Sequence, residues 1–358
     1  TGFNARARAA NFDLQELHRC MELLHNANVK GYVTLNTLVF PEEIAQLETI
    51  IRTINDAGVD AVLIQDLGLI HMVHTICPDL PIHASTQMTM TSAETISPLL
   101  EMGVERVVVA RELSISEIAK TNNLTEMPIE AFVHGALCVA YSGQCLTSES
   151  LGGRSANRGQ CAQACRLPYE IVCDGEAIDL QDQKYLLSPQ DLAAFELIPE
   201  LIAAGVVSLK IEGRLKTPEY VANITKHYRK AIDQAISETQ VSLSEEEVRE
   251  MELSFSRGFS PGWLEGCDHK MLVPGLSSSK RGVSAGKAVQ ILSESVVVNS
   301  TIPLKAGDGI VFAGDRTRQA EQGGRIFEIL QKGRRQKGEV PPGQIELRFL
   351  RNAVNFEQ

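Results

Sequence analysis

Apolar residues along the first two thirds of the chain follow two alternating rhythms. Short β-branched runs fall at Tyr32–Asn36, Ala61–Asp66, Ile82–Thr86, Arg106–Glu112, Ile129–Leu137, Tyr185–Ser188 and Val206–Gly213. Between most of them lie amphipathic stretches of helical period, such as Pro41–Gly58 and Ser92–Gly103, each stopped by a glycine. Strands alternating with helices predict an α/β fold with a parallel sheet. No strand is followed by a G-x-G-x-x-G turn, so the pattern fits a TIM-like (β/α) barrel better than an open doubly wound sheet. Seven strands are visible where a closed barrel needs eight. The polar opening Thr1–Arg8 reads as a loop leaving a strand, so the first strand and its helix are expected upstream of residue 1.

The rhythm changes after about residue 235. Ser242–Met251 reads as an acidic, solvated helix and Phe255–Gly262 as a turn-rich linker. From Gly282 a β-rich pattern follows, with strands predicted at Ala288–Leu292, Ser295–Asn299, Gly309–Phe312, Arg325–Leu330 and Ile345–Phe349. The expected organisation is a barrel over 1–235 with a Cys-rich loop at 138–173, a helical extension and linker over 236–281, and a small all-β barrel over 282–358 that stops soon after a strand.

Polar residues end many of the first strands on one side. In a (β/α) barrel that carboxyl face carries the active site. Plain strand termination explains any one of them, but recurrence at five strand ends favours a pocket. The candidates are His83, Gln87, Arg111, Glu112, His134, Lys210 and Glu212, with no individual role assigned.

Charge narrows the partners. The 358 residues hold 34 Lys plus Arg against 45 Asp plus Glu, a net charge of −11 that argues against a diffuse grip on nucleic acid. No run of eighteen apolar residues exists and no export signal is visible, so no membrane span and a cytoplasmic protein are expected.

Eight cysteines are too sparse for a disulfide scaffold, yet five of them fall between 138 and 173. Cys138, Cys145, Cys161 and Cys165 lie in a segment without evident regular structure, directly after a predicted strand. Soft thiolates select iron–sulfur clusters, zinc or copper. Structural zinc prefers two close pairs of ligands, and only the second pair here is close. A cubane needs one thiolate per iron and tolerates irregular spacing. Zinc and unliganded core cysteines stay open beside the cluster. Cys173 reads as a buried strand residue, and Cys20 and Cys77 as core.

Residues 150–169 contain no acid and three arginines, Arg154, Arg158 and Arg166. They suit either an anionic cluster or a bidentate hold on phosphate or carboxylate. The peptidase motifs H-E-x-x-H and G-x-S-x-G are absent. A His134–Cys138 dyad can be drawn, but it would consume a cysteine the cluster needs.

The stretch 130–145, from Glu130 through His134 and Cys138 to Cys145, resembles the signature of the collagenase-like peptidase family U-32, with Thr147 as one departure. The string from Gly153 through Cys161 and Cys165 to Tyr169 is similar to a branch of that family that modifies ribosomal RNA. His83 to Met88, Val109 to Glu112 and Lys210 to Arg214 match the same branch, and the similarity covers about residues 2–290.

The resemblance implies a 4Fe-4S cluster on Cys138, Cys145, Cys161 and Cys165, and hydroxylation of cytidine C5 in 23S ribosomal RNA. It implies prephenate, a dicarboxylate, as co-substrate, with Arg154, Arg158, Arg166 and Arg214 as anion-binding candidates. RNA is the expected partner, with Tyr141 stacking on a base or packing, and homo- or hetero-oligomers are expected. Two other classes stand beside it: a true peptidase acting on proteins, and a cluster-bearing partner subunit without turnover of its own.

Overall fold

The structure is a computed structural model that describes residues 2–5, 11–237, 239–280, 282–313, 321–351 and 353–355. Half of Thr1–Arg8, on which the reading of an opening loop rests, lies outside them. In chain order the first elements are α1 (Leu17–Asn26), β1 (Tyr32–Leu35), α2 (Ile44–Asp56), β2 (Ala61–Ile64), α3 (Leu67–Ile76), β3 (Ile82–Ala84), α4 (Ala93–Glu101), β4 (Val104–Val108), α5 (Ile115–Asn122) and β5 (Ile129–Ala136). Then follow α6 (Thr147–Gly152), β6 (Ile171–Cys173), β7 (Glu176–Ile178), β8 (Asp191–Ala193), α7 (Ile198–Ala203), β9 (Val206–Ile211), α8 (Pro218–Ile236), α9 (Glu245–Ser254), β10 (Phe259–Ser260) and α10 (His269–Leu272). The last strands are β11 (Gly286–Ile291), β12 (Ser295–Ser300), β13 (Leu304–Lys305), β14 (Gly309–Phe312), β15 (Gln322–Gln331), β16 (Arg334–Arg335), β17 (Glu339–Val340) and β18 (Gly343–Phe349).

Contacts divide the chain into two compact units, Thr1–Tyr169 with Tyr185–Arg281, and Glu170–Lys184 with Gly282–Gln358. In the first, β1, β2, β3, β4, β5 and β9 pair in parallel in sequence order, the mark of a singly wound sheet. Among the described residues β1 pairs only with β2, so the sheet has a free edge there. All four residues of β2 are buried, as expected for a parallel strand covered on both faces. Helix α2 packs Leu47, Ile50, Ile51 and Ile54 into the core. Each such burial is worth about 1.5–3 kcal/mol. Side-chain caps start the helices: Asp66 accepts from the Leu69 N–H at 3.0 Å, and Ser114 and Glu117 form a reciprocal capping box.

Three expectations are corrected. Tyr185–Ser188 is no strand, because the Ser188 N–H closes a turn onto the Tyr185 carbonyl and Pro189 follows without an N–H to give. The strand comes later, as β8, and runs antiparallel to the end of β5. The supposed linker at Phe255–Gly262 contains β10, which pairs in parallel with β8 and so joins the first sheet. Cys173 does end a strand, but it is exposed, in the β6–β7 hairpin that turns on Asp174 and Gly175, both at positive φ.

The second unit is an antiparallel sheet in the order β11-β12-β18-β15-β14. Its core is formed by residues such as Val296, Val298, Ile326, Ile329, Ile345 and Leu347. Among the described residues no helix is long and apolar enough to cross a membrane.

Candidate functional site: a charged sheet face and a four-cysteine segment

Strand alternation places Glu130 and Phe132 of β5 on one sheet face, opposite Ser208 and Lys210 of β9. Glu130 is buried and accepts from Lys210 Nζ at 2.6 Å and from Ser208 Oγ at 2.8 Å. Arg106 of β4 comes within 3.5 Å of the same carboxylate. These cations outweigh burial and hold the Glu130 carboxyl below its usual range. His83 of β3 pairs in register with Arg106, is buried, and packs edge-on to Tyr32. Burial, then Arg106 and Lys210, push its pKa down to about 4, so it is neutral at pH 7.

Above Phe132 the charges repeat. The Arg111 guanidinium lies 3.9 Å from the Phe132 ring centroid and donates to Glu212 Oε2 at 3.1 Å. The Arg214 backbone N–H donates to Glu212 Oε1 at 2.8 Å. A face of a parallel sheet covered by the rest of the fold is ordinarily lined by branched apolar side chains. Here a column of Glu130, Lys210, Phe132, Arg111 and Glu212 occupies that position.

His134 does not join the column. The register of β5 against β9 slips between Phe132 and His134, which pairs with Ile211 instead of Glu212. That bulge turns the imidazole toward Tyr220 and Tyr228 of α8 and toward Phe259. The Tyr228 hydroxyl donates to the Val133 carbonyl at 2.7 Å and accepts from the Ala194 N–H at 3.0 Å. Towards His134 Nδ1, 3.3 Å away, it therefore accepts, which assigns the ring proton to Nδ1. Nε2 is left a buried lone pair without a partner. Burial first, then Lys216, push the His134 pKa down to about 3. Gly135 permits the close approach: at φ +101°, a Cβ there would sit 2.7 Å from the Glu212 carbonyl oxygen.

The cysteine segment leaves the end of β5 and is fastened to neighbouring strand ends. Ser142 donates from its N–H and its hydroxyl to Glu112, at 3.1 and 2.9 Å. It accepts from the Arg111 N–H at 3.1 Å and, through its carbonyl, from Thr89 Oγ1 at 2.6 Å. Gly143 lies against the Gln87 carbonyl so closely that a Cβ would be 2.1 Å from it. Gln87 thus presents its backbone to the segment, while that same carbonyl accepts from Gln65 Nε2 at 3.3 Å. Arg158 pairs with Glu43, donates to the Leu38 carbonyl at 2.6 Å and lies over Phe40. Arg166 donates to the carbonyls of Leu137 and Pro189 and to Ser188 Oγ. Both arginines hold the segment to its surroundings. Tyr141, 71% exposed, and Arg154 are open to solvent.

Cys138, Cys145, Cys161 and Cys165 are half-buried and none is in a disulfide. Cys165 feels the charges of the other three, and Cys138 those of Cys145 and Cys161. Burial pushes the Cys138 and Cys165 thiols up, while Arg111 pulls Cys138 down and Arg166 pulls Cys165 down. Among the described residues no three His, Cys, Asp or Glu side chains are gathered closely enough to chelate a single metal ion. A cubane spreads its four thiolates over four iron corners, and four soft donors in one segment, with two guanidiniums beside them, fit that donor set. Elsewhere, Cys77 is buried and Cys20 half-buried.

Sequence reasoning missed Arg106, Glu130, Phe132 and Ser208, although charges at alternate positions of apolar strands carried the signal. It also missed Lys216, half-buried over the rings of Tyr220 and Phe255, whose pKa burial lowers to about 8.

A singly wound parallel sheet with a charged face, and a four-thiol segment bonded to its strand ends, define a cysteine-bearing α/β protein. The chain belongs to peptidase family U32, whose model matches residues 1–273. It is 38% identical to the 23S rRNA 5-hydroxycytidine synthase of Escherichia coli over 86% of this chain and 48% of that protein. It is 34% identical to tRNA hydroxylation protein P1 of Bacillus subtilis over 74% of this chain and 64% of that protein. A collagenase of Porphyromonas gingivalis is 31% identical over 88% of this chain and 80% of its own length. The chain thus spans about half to two thirds of the two RNA-modifying relatives.

Proposed function

We propose that this chain belongs to an RNA-modifying enzyme that hydroxylates a pyrimidine base, cytidine C5 of 23S ribosomal RNA, with a 4Fe-4S cluster on Cys138, Cys145, Cys161 and Cys165. The observation that carries this reading is the joining of four mutually interacting thiols to the carboxyl ends of strands whose inner face is charged. Relatives named for rRNA and tRNA hydroxylation support the substrate class. We further propose that the singly wound sheet is part of a TIM-like barrel.

When bound, the cluster supplies one-electron chemistry. The chain's own side chains do the rest. The ion pair of Arg111 with Glu212 fixes a charged rim over Phe132, and Tyr141 offers an exposed ring for a splayed base. C5 of a paired cytidine faces the deep, narrow major groove of A-form RNA, which side chains do not reach, so a single-stranded or flipped nucleotide is the substrate. Solvent-exposed Arg154 is the proposed phosphate contact, and prephenate is the proposed co-substrate.

The test is iron and acid-labile sulfide content with the visible spectrum of protein purified without oxygen, beside Cys161→Ala. Cluster-level iron lost in the variant, together with a nucleoside gaining one oxygen in RNA from cells expressing the chain, supports the reading. Wild-type protein that binds no iron overturns the cluster-based mechanism.

Proteolysis is a second reading, favoured by the collagenase relative and by one contact: Cys267 Sγ lies 3.0 Å from His269 Nε2 at the surface. The His134–Cys138 dyad is not favoured, because His134 is turned into the aromatic box of α8. Collagen cleavage that survives Cys161→Ala and is lost in Cys267→Ala would support this second reading.

A further inference from the structure

Arg106 stands out beside the charged column. It shares the Glu130 carboxylate with Lys210 and Ser208, and its contact, at 3.5 Å, is the longest of the three. Its Nε is buried and makes no hydrogen bond. Leaving such a donor unsatisfied costs about 1–3 kcal/mol, so a group that recurs to fill it would be strongly held. The side chains of Arg106 and Lys210 are each about a quarter exposed, 26% and 25%, so the cluster is within reach of solvent. His83, at its side, feels three cations, Arg106, Lys210 and Lys30, against the one carboxylate of Glu130. Two aromatic faces border it, Tyr32 against His83 and Phe132 beside Lys210.

We propose that this face holds a small-anion subsite in which Arg106, with Lys210 and His83 beside it, receives the carboxylate of a small organic acid. The proposal deepens the reading above, since it assigns a co-substrate position on the same sheet face. A guanidinium with a free Nε presents the fork that a carboxylate meets with two parallel hydrogen bonds. Neutral His83 keeps one donor and one acceptor for a hydroxyl or second oxygen of the ligand. Shape sets the selectivity: the planar guanidinium fork and the flanking rings suit an organic carboxylate better than a tetrahedral, wholly polar phosphate. Tyr32 and Phe132 give the apolar body of the acid a surface to lie on.

The test is calorimetric titration of the full chain with malonate, with inorganic phosphate, and with a short single-stranded oligoribonucleotide. Malonate is expected to bind more tightly than phosphate. Its affinity is expected to fall at least tenfold in Arg106→Gln and by less in Arg106→Lys, which keeps the charge but loses Nε. Arg106→Gln leaves Glu130 with Lys210 and Ser208, so the fold is expected to persist, and circular dichroism of both variants checks it. Absent malonate binding, binding equal in wild type and Arg106→Gln, or an Arg106-dependent response to the oligonucleotide alone overturns the proposal. None of these readouts involves iron or nucleoside mass, so failure here is separable from failure of the hydroxylation reading.

Discussion

At the scale of single residues, the buried histidines make stability depend on pH. In the unfolded chain His134 and His83 take up protons near pH 6.5, whereas in the fold they resist until about 3 and about 4. The unfolded state therefore binds more protons below 6.5, and stability present above that value is lost as pH falls toward 3. For His134 the slope is roughly 1.4 kcal/mol per pH unit within that window. The thermal midpoint is expected to fall between pH 7 and 5, and His134→Phe, which fits the aromatic box, is expected to flatten the decline. Glu112→Gln weakens two charge-assisted bonds to Ser142, and anaerobic iron assays should show less metal retained per chain. Gly143→Ala forces a Cβ onto the Gln87 carbonyl at φ +76°, so the Cys138–Cys145 turn must shift; the same assay is expected to show greater loss. The four cysteines and the strand-end charges were legible from residue type and spacing. The orientation of His134 was not, because a bulge is set by pairing with β9 and leaves no local mark.

Elements show the same division. Helix stops at Gly58 and Gly103 and most parallel strands lie within about two residues of their predicted places, since each follows from local period and capping. Strand β8 was illegible because it depends on partners far away: the end of β5, the turn before Pro189, and β10 on its other side. What fixes it is electrostatic. Asp191, fully buried, accepts from Arg257 Nη1 at 2.8 Å and from the Arg257 N–H at 2.9 Å. Removing one partner strands a buried charge, at a cost of about 3–5 kcal/mol. Arg257→Ala is expected to lower the thermal midpoint sharply, whereas Arg229→Ala, which breaks an exposed helix pair with Asp233, is expected to leave it nearly unchanged.

For the whole chain, net charge bears on the RNA binding proposed above. With −11 overall, affinity must come from a few placed cations and stacking, not from a broad positive field. The logarithmic salt dependence of oligonucleotide binding is therefore expected to be shallow, with a slope of roughly −0.7 per phosphate contact and few contacts. A filter-binding series in potassium chloride measures it, and a steep slope would point to a larger basic surface than this chain carries. Family membership was legible because its signature lies in one contiguous stretch; Arg111, Lys210 and Glu212 were legible as strand-end charges, but their meeting with Glu130 and Phe132 in one column was not, because the members come from separate strands and strand ends.

The β6–β7 hairpin carries one more consequence, for the order of events on the ribosome. Its contacts place it in the unit completed only by residues from 282 onward, so the chain passes between the two units three times. At synthesis rates of roughly 5–20 residues per second, the hairpin waits on the order of ten seconds for its companions. Ile171, Val172 and Ile178 stand uncovered even in the finished fold, and throughout that wait they form a sticky tip on a nascent chain. Neither unit can be released by a single cut, and a truncation before 282 would leave that tip permanently without its companions.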